Sequence, residues 1–149
     1  MTPKYEKASN NGLRLREAAD PDRRFVLWVE EVCMKEYAIA LWGKWLRSTT
    51  VKTVDIAGHQ IIELNSQAIG CVATTRFENY VQIDKLYITP DFQNRGFGAD
   101  VLRQIHDARP DDLPLRLSVL TTNPALKFYL REGFSVEKED PERYTLLKK

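Results

Sequence analysis

The sequence predicts one mixed α/β domain, and three observations support this fold class. The length of 149 residues fits a single domain built around one hydrophobic core. Hydrophobic residues make up 43% of the chain and charged residues 29%, which is a globular balance. Segments in which apolar residues recur with a period of two are interspersed with segments of helical period. We therefore expect residues 1–149 to form a single domain.

The first two elements are a strand and an amphipathic helix. Leucine and arginine alternate in Leu13–Glu17, as in a half-buried strand. Asp20–Asp22 is typical of a helix start, with an aspartate at the capping position and a proline in the first turn. Glu30 and nearby charged residues are expected on the outer face, and Gly43 ends the helical pattern. The residues expected on the inward face are Phe25, Val29, Val32, Cys33, Glu36, Tyr37 and Ala40.

The next region is followed by three predicted strands. Arg47–Gly58 is polar enough for a second irregular helix or a loop, and the pattern leaves both open. Short turn sequences then separate the three apolar, β-branched segments. These segments predict an antiparallel meander of Gln60–Leu64, Ala68–Phe77 and Tyr80–Thr89.

The third of these strands changes the parity of its apolar residues. Val81 and Ile83 are apolar at odd positions, whereas Leu86 and Ile88 are apolar at even positions. A strand that keeps one face buried can change parity only if one residue is inserted. The sequence therefore predicts a β-bulge near Asp84 and Lys85.

The rest of the chain alternates between helices and strands. A loop over Asp91–Gly98 precedes the next helix, and Gly133 is a natural stop for the last one. The predicted elements are a helix at Ala99–Ala108, a strand at Leu113–Leu120, a helix at Asn123–Arg131 and a hairpin of Phe134–Lys138 with Arg143–Leu147.

Charge and composition exclude several classes of partner. The formal net charge of +1 lacks the basic excess of a nucleic-acid binder. No apolar run is long enough for a membrane span, and the first twelve residues lack the apolar stretch of a signal peptide. Cys33 and Cys71 have no zinc-site spacing, so we interpret them as buried free thiols in a reducing cytoplasm. His59 and His106 have no metal-spaced partners, and His106 is expected on the exposed side of its helix.

The segment Leu86–Gly98 carries the strongest local signal for chemistry. A strand ends, a loop with two glycines follows, and a helix begins at once. The free N–H groups and the dipole at such a helix start form an anion site, to which Arg95 can add charge. Alternatively, the glycines only permit a surface turn. The dinucleotide fingerprint is excluded because Val101 stands where its third glycine is needed, and the Walker Gly-Lys-Ser/Thr is absent.

Two motifs in this half of the chain resemble those of the GNAT superfamily of N-acetyltransferases. Gln93, Gly96 and Gly98 match its Q/R-x-x-G-x-G/A pattern. Asn123–Phe134 matches its later motif, in which a turn precedes a Tyr-x-x-x-Gly-Phe sequence. The resemblance is close from Ala68 to Phe134 and looser before that.

The resemblance implies a fold and a cosubstrate. The fold is a mixed, mostly antiparallel sheet flanked by helices, in which two central strands splay apart and bind acyl-CoA between them. The implied cosubstrate is acetyl-CoA, with no metal. The pantetheine arm would bind the exposed strand backbone and the pyrophosphate the helix start. The residues implied to bind acetyl-CoA are Leu86, Tyr87, Ile88, Gln93, Asn94, Arg95, Gly96, Phe97, Gly98, Ala99, Asn123 and Phe128.

The catalytic groups implied by the resemblance are a tyrosine acid and a base for the amine proton. Tyr129 matches the family tyrosine that gives a proton to the CoA sulfur; otherwise it is a packed aromatic residue beside Phe128. Gln82 stands where the histone-modifying branch has a glutamate, and an amide cannot accept the amine proton at neutral pH. Asp84 is the candidate base, with a salt bridge to a nearby cation as its alternative role. Glu78, a water chain or a substrate that is already partly deprotonated would serve equally.

The acceptor is expected to enter over the first helix and the segment after it. Tyr37, Trp42 and Trp45 would attract a cationic amine with their aromatic faces, or else pack the helix on the sheet, and Gln82 can hydrogen-bond the substrate. The sequence therefore predicts a cytoplasmic acyl-CoA-dependent N-acyltransferase, acting on a small-molecule primary amine by direct attack in a ternary complex. The alternatives are a non-catalytic acyl-CoA-binding module and a protein N-terminal or lysine acetyltransferase. The protein is expected to be a monomer or a homodimer.

Overall fold

The computed structural model describes residues 12–47 and 49–149. Its centre is a seven-stranded sheet in the order β1-β2-β3-β4-β5-β7-β6. The strands are β1 Leu13–Glu17, β2 His59–Leu64, β3 Gln67–Arg76, β4 Val81–Ile88, β5 Leu115–Leu120, β6 Ser135–Glu139 and β7 Arg143–Lys148. The helices are α1 Arg23–Trp42, α2 Phe97–Ala108 and α3 Leu126–Arg131. The predicted strands and helices are all present, with shifts of one to three residues at their ends.

The predicted meander is confirmed, and only the pairing in the middle of the sheet is parallel. Strands β1 to β4 pair antiparallel in chain order, and β5, β7 and β6 form a second antiparallel group. Parallel β4 and β5 join the two groups through only two residue pairs, Val81 with Leu115 and Gln82 with Arg116. Beyond Gln82 the two strands have no pairing, so a gap opens in the centre of the sheet.

The predicted bulge lies at Asp84. Ala73 of β3 pairs with Lys85, whereas the next residue, Thr74, pairs with Ile83, so Asp84 is the extra residue. Val81 and Ile83 before the bulge and Leu86 and Ile88 after it therefore contact the same hydrophobic core. The inserted residue keeps the apolar face of β4 inward along its whole length.

The helices cover the two faces of the sheet. Helices α2 and α3 pack on one face, where Val101, Leu102, Ile105 and Tyr129 belong to the large core cluster. Helix α1 covers the other face, where Val26 and Val29 pack with Ile61 of β2 and Cys71 of β3. Burying each of these aliphatic side chains stabilises the fold by about 1.5–3 kcal/mol before entropy is counted.

The inward face of α1 differs from the predicted one. Val32 is 39% exposed, and Ala40 and Glu36 are also exposed. Glu30, expected outside, instead approaches Lys85 of β4. Asp20 does not cap the helix, because a 3-10 turn at Asp20–Asp22 precedes it and the Asp20 carboxylate accepts a hydrogen bond from Arg23. Gly43 ends α1 in the left-handed conformation, as predicted.

The undecided region after α1 contains turns and no helix among its described residues. A turn at Val51–Thr53 lies within an otherwise irregular segment. Ser48, part of that region, lies outside the described residues, as do residues 1–11, on which the signal-peptide and full-length domain predictions partly rest. Cys33 and Cys71 are both free; Cys71 is fully buried, whereas Cys33 is only half-buried. His106, predicted on the exposed side of its helix, is half-buried.

Candidate active site

The divergence of β4 from β5 opens a cleft of about 1130 Å³. Its walls come from α1, from β4 and β5, and from the starts of α2 and α3. Most binding cavities of small molecules lie between about 300 and 1000 Å³, so this cleft can hold an extended ligand and a second small molecule.

One end of the cleft is the loop that leads into α2. After a 3-10 turn at Pro90–Phe92 the chain adopts left-handed conformations at Asn94 and at Gly96, where φ is +86°, and α2 then begins at Phe97. The first N–H groups of a helix lack acceptors within the helix, and together with its dipole they attract anions. A Cβ atom added to Gly96 would meet no atom within 4 Å, so the space above this loop is open for a ligand.

Gly98 brings the α2 start close to α3. A Cβ atom at this position would lie 3.2 Å from Cζ of Phe128. The glycine thus allows the Phe128 ring to stand directly against the loop, and both residues line the cleft. Arg95 stays outside the cleft and places its guanidinium over the rings of Phe92, at 5.1 Å, and Phe97, at 5.5 Å.

The splayed part of β4 presents backbone groups to the cleft. The N–H of Thr89 donates to Ile69 on β3, and because backbone groups alternate along a strand, those of Leu86 and Ile88 point away from β3. The Ile88 carbonyl accepts hydrogen bonds from Gln93 Nε2 at 2.8 Å and from Cys33 Sγ at 3.1 Å. Both donors are on flexible side chains, so an extended ligand can displace them.

Tyr129 lies in the cleft where α3 meets the gap between the strands. Its ring packs edge-on against Phe128 and Phe134, with centroids 5.1 and 5.7 Å away, and the residue is 9% exposed. Burial raises the pKa of the Tyr129 phenol to about 12, because the phenolate loses its hydration there. The phenol is therefore fully protonated at neutral pH and can donate a proton.

The other end of the cleft is aromatic and is bordered by the β6–β7 hairpin. Trp42, at the end of α1, donates from Nε1 to the Glu142 carboxylate, and Arg143 lies 5.5 Å from the centroid of its ring. Trp45 donates from Nε1 to Glu31 at 3.1 Å, which folds the segment after α1 back onto the helix. These contacts join α1 to the hairpin across the end of the cleft.

The pattern of residues across this site matches a known family. Residues 56–136, more than half of the chain, match the family model of an acetyltransferase (GNAT) domain. The chain belongs to the GNAT family. Membership implies N-acetyltransferase activity and leaves the acceptor open.

Solved structures share the GNAT fold over almost the whole chain. The PaiA N-acetyltransferase of Thermoplasma acidophilum, in complex with coenzyme A, superimposes with a TM-score of 0.75 and 18% identity, covering 92% of this chain and 98% of that one. An acetyltransferase of Thermus thermophilus gives 0.74 and 21%, covering 91% and 96%. Arabidopsis thaliana Naa50, in complex with the bisubstrate analogue CoA-Ac-MVNAL, gives 0.63 and 18%, covering 93% and 99%. No curated protein matches the chain.

The fold brings nearly all of the predicted site residues together in this GNAT cleft. Arg95 is the exception, since it lies on the rim of the α2 loop. Asn123 lines the cleft and uses its side-chain oxygen to accept from the Ala125 N–H at 2.9 Å, which fixes the start of α3. Tyr37 lines the α1 side, and its carbonyl accepts from Thr122 Oγ1 at 2.7 Å.

The two polar residues predicted on β4 occupy different positions. Gln82 lies where β4 and β5 part, and it lines the cleft. Asp84, in the bulge, is exposed and accepts a hydrogen bond from Thr75 Oγ1 at 2.6 Å. The structure has no salt bridge from Asp84 to any described lysine or arginine, so the alternative role that the sequence suggested for it is wrong.

Sequence reasoning missed Glu30 and Lys85, which both line the cleft. Glu30 lies four residues after Val26 and three before Cys33, so helical spacing already places it between two inward residues. Lys85 follows the bulge and therefore shares the α1 side of the sheet with Tyr87, two residues on. The bulge signal in the sequence could have identified it.

The part of the chain that the structure describes contains neither a cluster of metal ligands nor a helix suited to a bilayer. Among residues 12–47 and 49–149, no group of three or more His, Cys, Asp or Glu side chains is arranged to hold a metal ion. None of the helices in those same ranges combines the length and apolar character that a bilayer span requires.

Proposed function

We propose that this GNAT domain transfers the acetyl group of acetyl-CoA to the primary amine of a small molecule by direct attack in a ternary complex. The observation that carries the proposal is a single cleft lined both by the start of α2, which is suited to an anion, and by the aromatic residues Trp42 and Trp45. Tyr129 lines the same cleft.

Acetyl-CoA fits the part of the cleft formed by β4 and the α2 loop. The pyrophosphate would accept hydrogen bonds from the backbone between Gln93 and Ala99. The pantetheine arm would pair with Leu86–Ile88 as an added strand, displacing the Gln93 side chain from the Ile88 carbonyl. The Thermoplasma acidophilum structure in complex with coenzyme A and the Naa50 structure with a CoA-based analogue support this assignment.

The chemistry needs a proton donor for the sulfur. The amine nitrogen attacks the thioester carbonyl, the carbon–sulfur bond breaks, and the thiolate takes the phenol proton of Tyr129. The amine loses its proton to a base or to solvent, and solvent returns a proton to the Tyr129 phenolate. The products are therefore an amide and the free thiol of CoA, and Tyr129 is restored. Asp84 stays a prediction as the base, because its position in the cleft supports the role and its bond from Thr75 competes with it.

A small acceptor is favoured over a peptide by the aromatic end of the cleft. Trp42 contacts both Glu142 and Arg143 at this end, and we infer that these contacts narrow the space for an extended peptide. One face of the Trp42 ring is covered by Arg143, so only its other face is open to an acceptor. We therefore expect thioester cleavage to be faster with small free amines than with protein N-termini.

A non-catalytic acyl-CoA-binding module is the second candidate. Gln82 favours it, since an amide stands in the cleft where the resemblance gives a glutamate base. The two functions differ in a single observable, which is release of free CoA thiol in the presence of an amine.

The test is a thiol-release assay with acetyl-CoA and a panel of amines, amino acids, polyamines, aminoglycosides and short peptides. We expect release with at least one small amine, and a fall of roughly 10²–10⁴-fold in turnover for Tyr129→Phe at unchanged CoA affinity. Tyr144→Phe, which also removes a phenol oxygen but lies outside the cleft, is the control. Tight acetyl-CoA binding without release by the wild type would favour the binding module, and release by Tyr129→Phe at the wild-type rate would show that another group is the acid.

A further inference from the structure

Glu30 and Lys85 face each other on the α1 side of the cleft. Oε2 of Glu30 lies 3.6 Å from Nζ of Lys85, and their side chains are 23% and 21% exposed. Well-formed pairs of this kind have separations of about 2.7–2.9 Å. The pair is thus loosely matched, and both groups are accessible from the cleft that they line.

The surroundings of this pair are poorly hydrated. Burial raises the pKa of the Cys33 thiol to about 11 and that of the Tyr87 phenol well above its ordinary range, and charge on Glu30 adds to the increase at Tyr87. In such surroundings a charge that loses its partner is strongly destabilised. A substrate that enters here must therefore satisfy both Glu30 and Lys85.

The other carboxylates around the acceptor end are already bound. Asp84 accepts from Thr75, Glu142 accepts from Trp42, and Glu31 accepts from Trp45. Among the charged residues that line the cleft, the acidic Glu30, Asp84 and Glu132 are outnumbered by the basic Lys85, Lys127, Arg131 and Arg143, so the cleft has no excess of negative charge for a polycationic amine. Charge complementarity favours an acceptor that carries one positive and one negative group.

We infer that the acceptor is zwitterionic, a primary amine with a carboxylate a few bonds away, as in an amino acid. Glu30 hydrogen-bonds the amine and accepts the proton that its ammonium form must lose before attack, and Lys85 binds the carboxylate. The long Glu30–Lys85 contact is thereby replaced by two shorter contacts, one from the amine to Glu30 and one from the carboxylate to Lys85. This inference rests on the proposed function, because it names the acceptor class of the same site.

The experiment compares acceptors that differ only in the carboxylate. Tyrosine with tyramine, ornithine with putrescine and serine with ethanolamine are matched pairs for the thiol-release assay. We expect kcat/KM to be at least about tenfold higher for the acid of the best pair, which corresponds to one additional ion pair of about 1.4 kcal/mol. Lys85→Gln should abolish this preference, mainly by raising KM for the acid. Lys35→Gln, on the exposed face of α1, should keep it.

The same assay separates this inference from the proposed function. Equal or higher kcat/KM for the amines without a carboxylate would overturn the inference alone, and so would a Lys85→Gln variant that keeps the preference. No thiol release with any acceptor would overturn the proposed function and the inference with it. The wild-type comparison needs no variant, so it decides the question even where Lys85→Gln does not fold. Glu30→Gln should lower kcat/KM for the acid of the best pair by at least about tenfold while CoA affinity stays unchanged, whereas a merely structural Glu30 would lower stability and CoA affinity together.

Discussion

Gly96 combines an unusual backbone conformation with open space beside it. Its φ of +86° is strained for any residue with a Cβ atom, and a Cβ there would project into the opening above the α2 start. We expect Gly96→Ala to lower CoA affinity by at least tenfold, because the methyl group keeps phosphate away from the backbone N–H groups. Isothermal titration calorimetry with CoA measures the change.

Gly43 offers the matched control for this substitution. It has a φ of +77°, and a Cβ atom added there would meet no atom within 4 Å, yet it lies outside the cleft. Gly43→Ala carries the same backbone strain as Gly96→Ala, roughly 1–2 kcal/mol. It should lower Tm by about as much as Gly96→Ala does, while CoA affinity stays unchanged. If both variants lose affinity equally, backbone strain explains the loss and the anion site at Gly96 is wrong.

Glu30 shows why apolar periodicity assigns some site residues to the wrong face of a helix. A helix that packs wholly on a core has an apolar inner face, and the search for that face assigns charged residues to the outside. Helix α1 packs on the sheet mainly through its first half, where Val26 and Val29 are buried, and its second half, in which Ala38 is buried, passes over the cleft. A cleft that binds polar molecules needs polar lining, so the rule fails at the functional site.

The bulge in β4 could be located from the sequence alone, as could the strands and helices. Its signal was strong because both halves of the strand contribute side chains to one core, and a change of parity has a single geometric remedy. How far β4 and β5 pair could not be predicted in the same way. That depends on the packing of α1 and α3 on either side of the gap, which local sequence does not record.

Removal of Asp84 tests this element directly. A chain without Asp84 must place either Val81 and Ile83 or Leu86 and Ile88 on the wrong face, at a cost of about 1.5–3 kcal/mol for each displaced side chain. We expect the deletion variant to lose its cooperative unfolding transition in circular dichroism. Asp84→Ala keeps the residue count and loses only the bond from Thr75, so its Tm should change by a few degrees at most. A deletion variant as stable as Asp84→Ala would contradict the bulge.

For the whole molecule, the two faces of the sheet bury several groups that ionise at high pH. Burial raises the pKa of Cys33 to about 11 and those of Cys71 and Tyr129 to about 12, and it raises the pKa of Tyr87 well above its ordinary value. Ordinary thiols and phenols ionise near about 8.5 and 10. The unfolded chain therefore releases these protons at lower pH than the folded chain does.

The sign of the effect follows from this difference. Stability from these groups is fully present below about pH 8.5 and is lost as the pH rises through the folded-state values, because the unfolded state then binds fewer protons. We expect the free energy of unfolding, measured by urea denaturation, to fall steadily between about pH 8.5 and 11. At about pH 10.5 Cys71 alone accounts for roughly 3 kcal/mol of the loss.

Cys71→Ala provides the comparison for the alkaline series. Alanine has no proton to lose, so the variant, although less stable at neutral pH, should show a shallower decline above about pH 8.5. Parallel declines for the two proteins would mean that Cys71 ionises as readily in the folded protein as in the unfolded chain, which its complete burial argues against.

The gap between β4 and β5 also affects how the protein behaves in concentrated solution. Unpaired backbone in the middle of a sheet is equivalent to an open strand edge, and open edges recruit strands from other molecules and lead to aggregates. Gln93 and Cys33 cover the Ile88 carbonyl with side-chain donors, which shields one of the exposed groups while the cleft is empty. A bound ligand that completes the pairing would shield the rest. Occupancy of the cleft should therefore govern colloidal stability as well as catalysis, and the ligand-free protein is the form most prone to self-association.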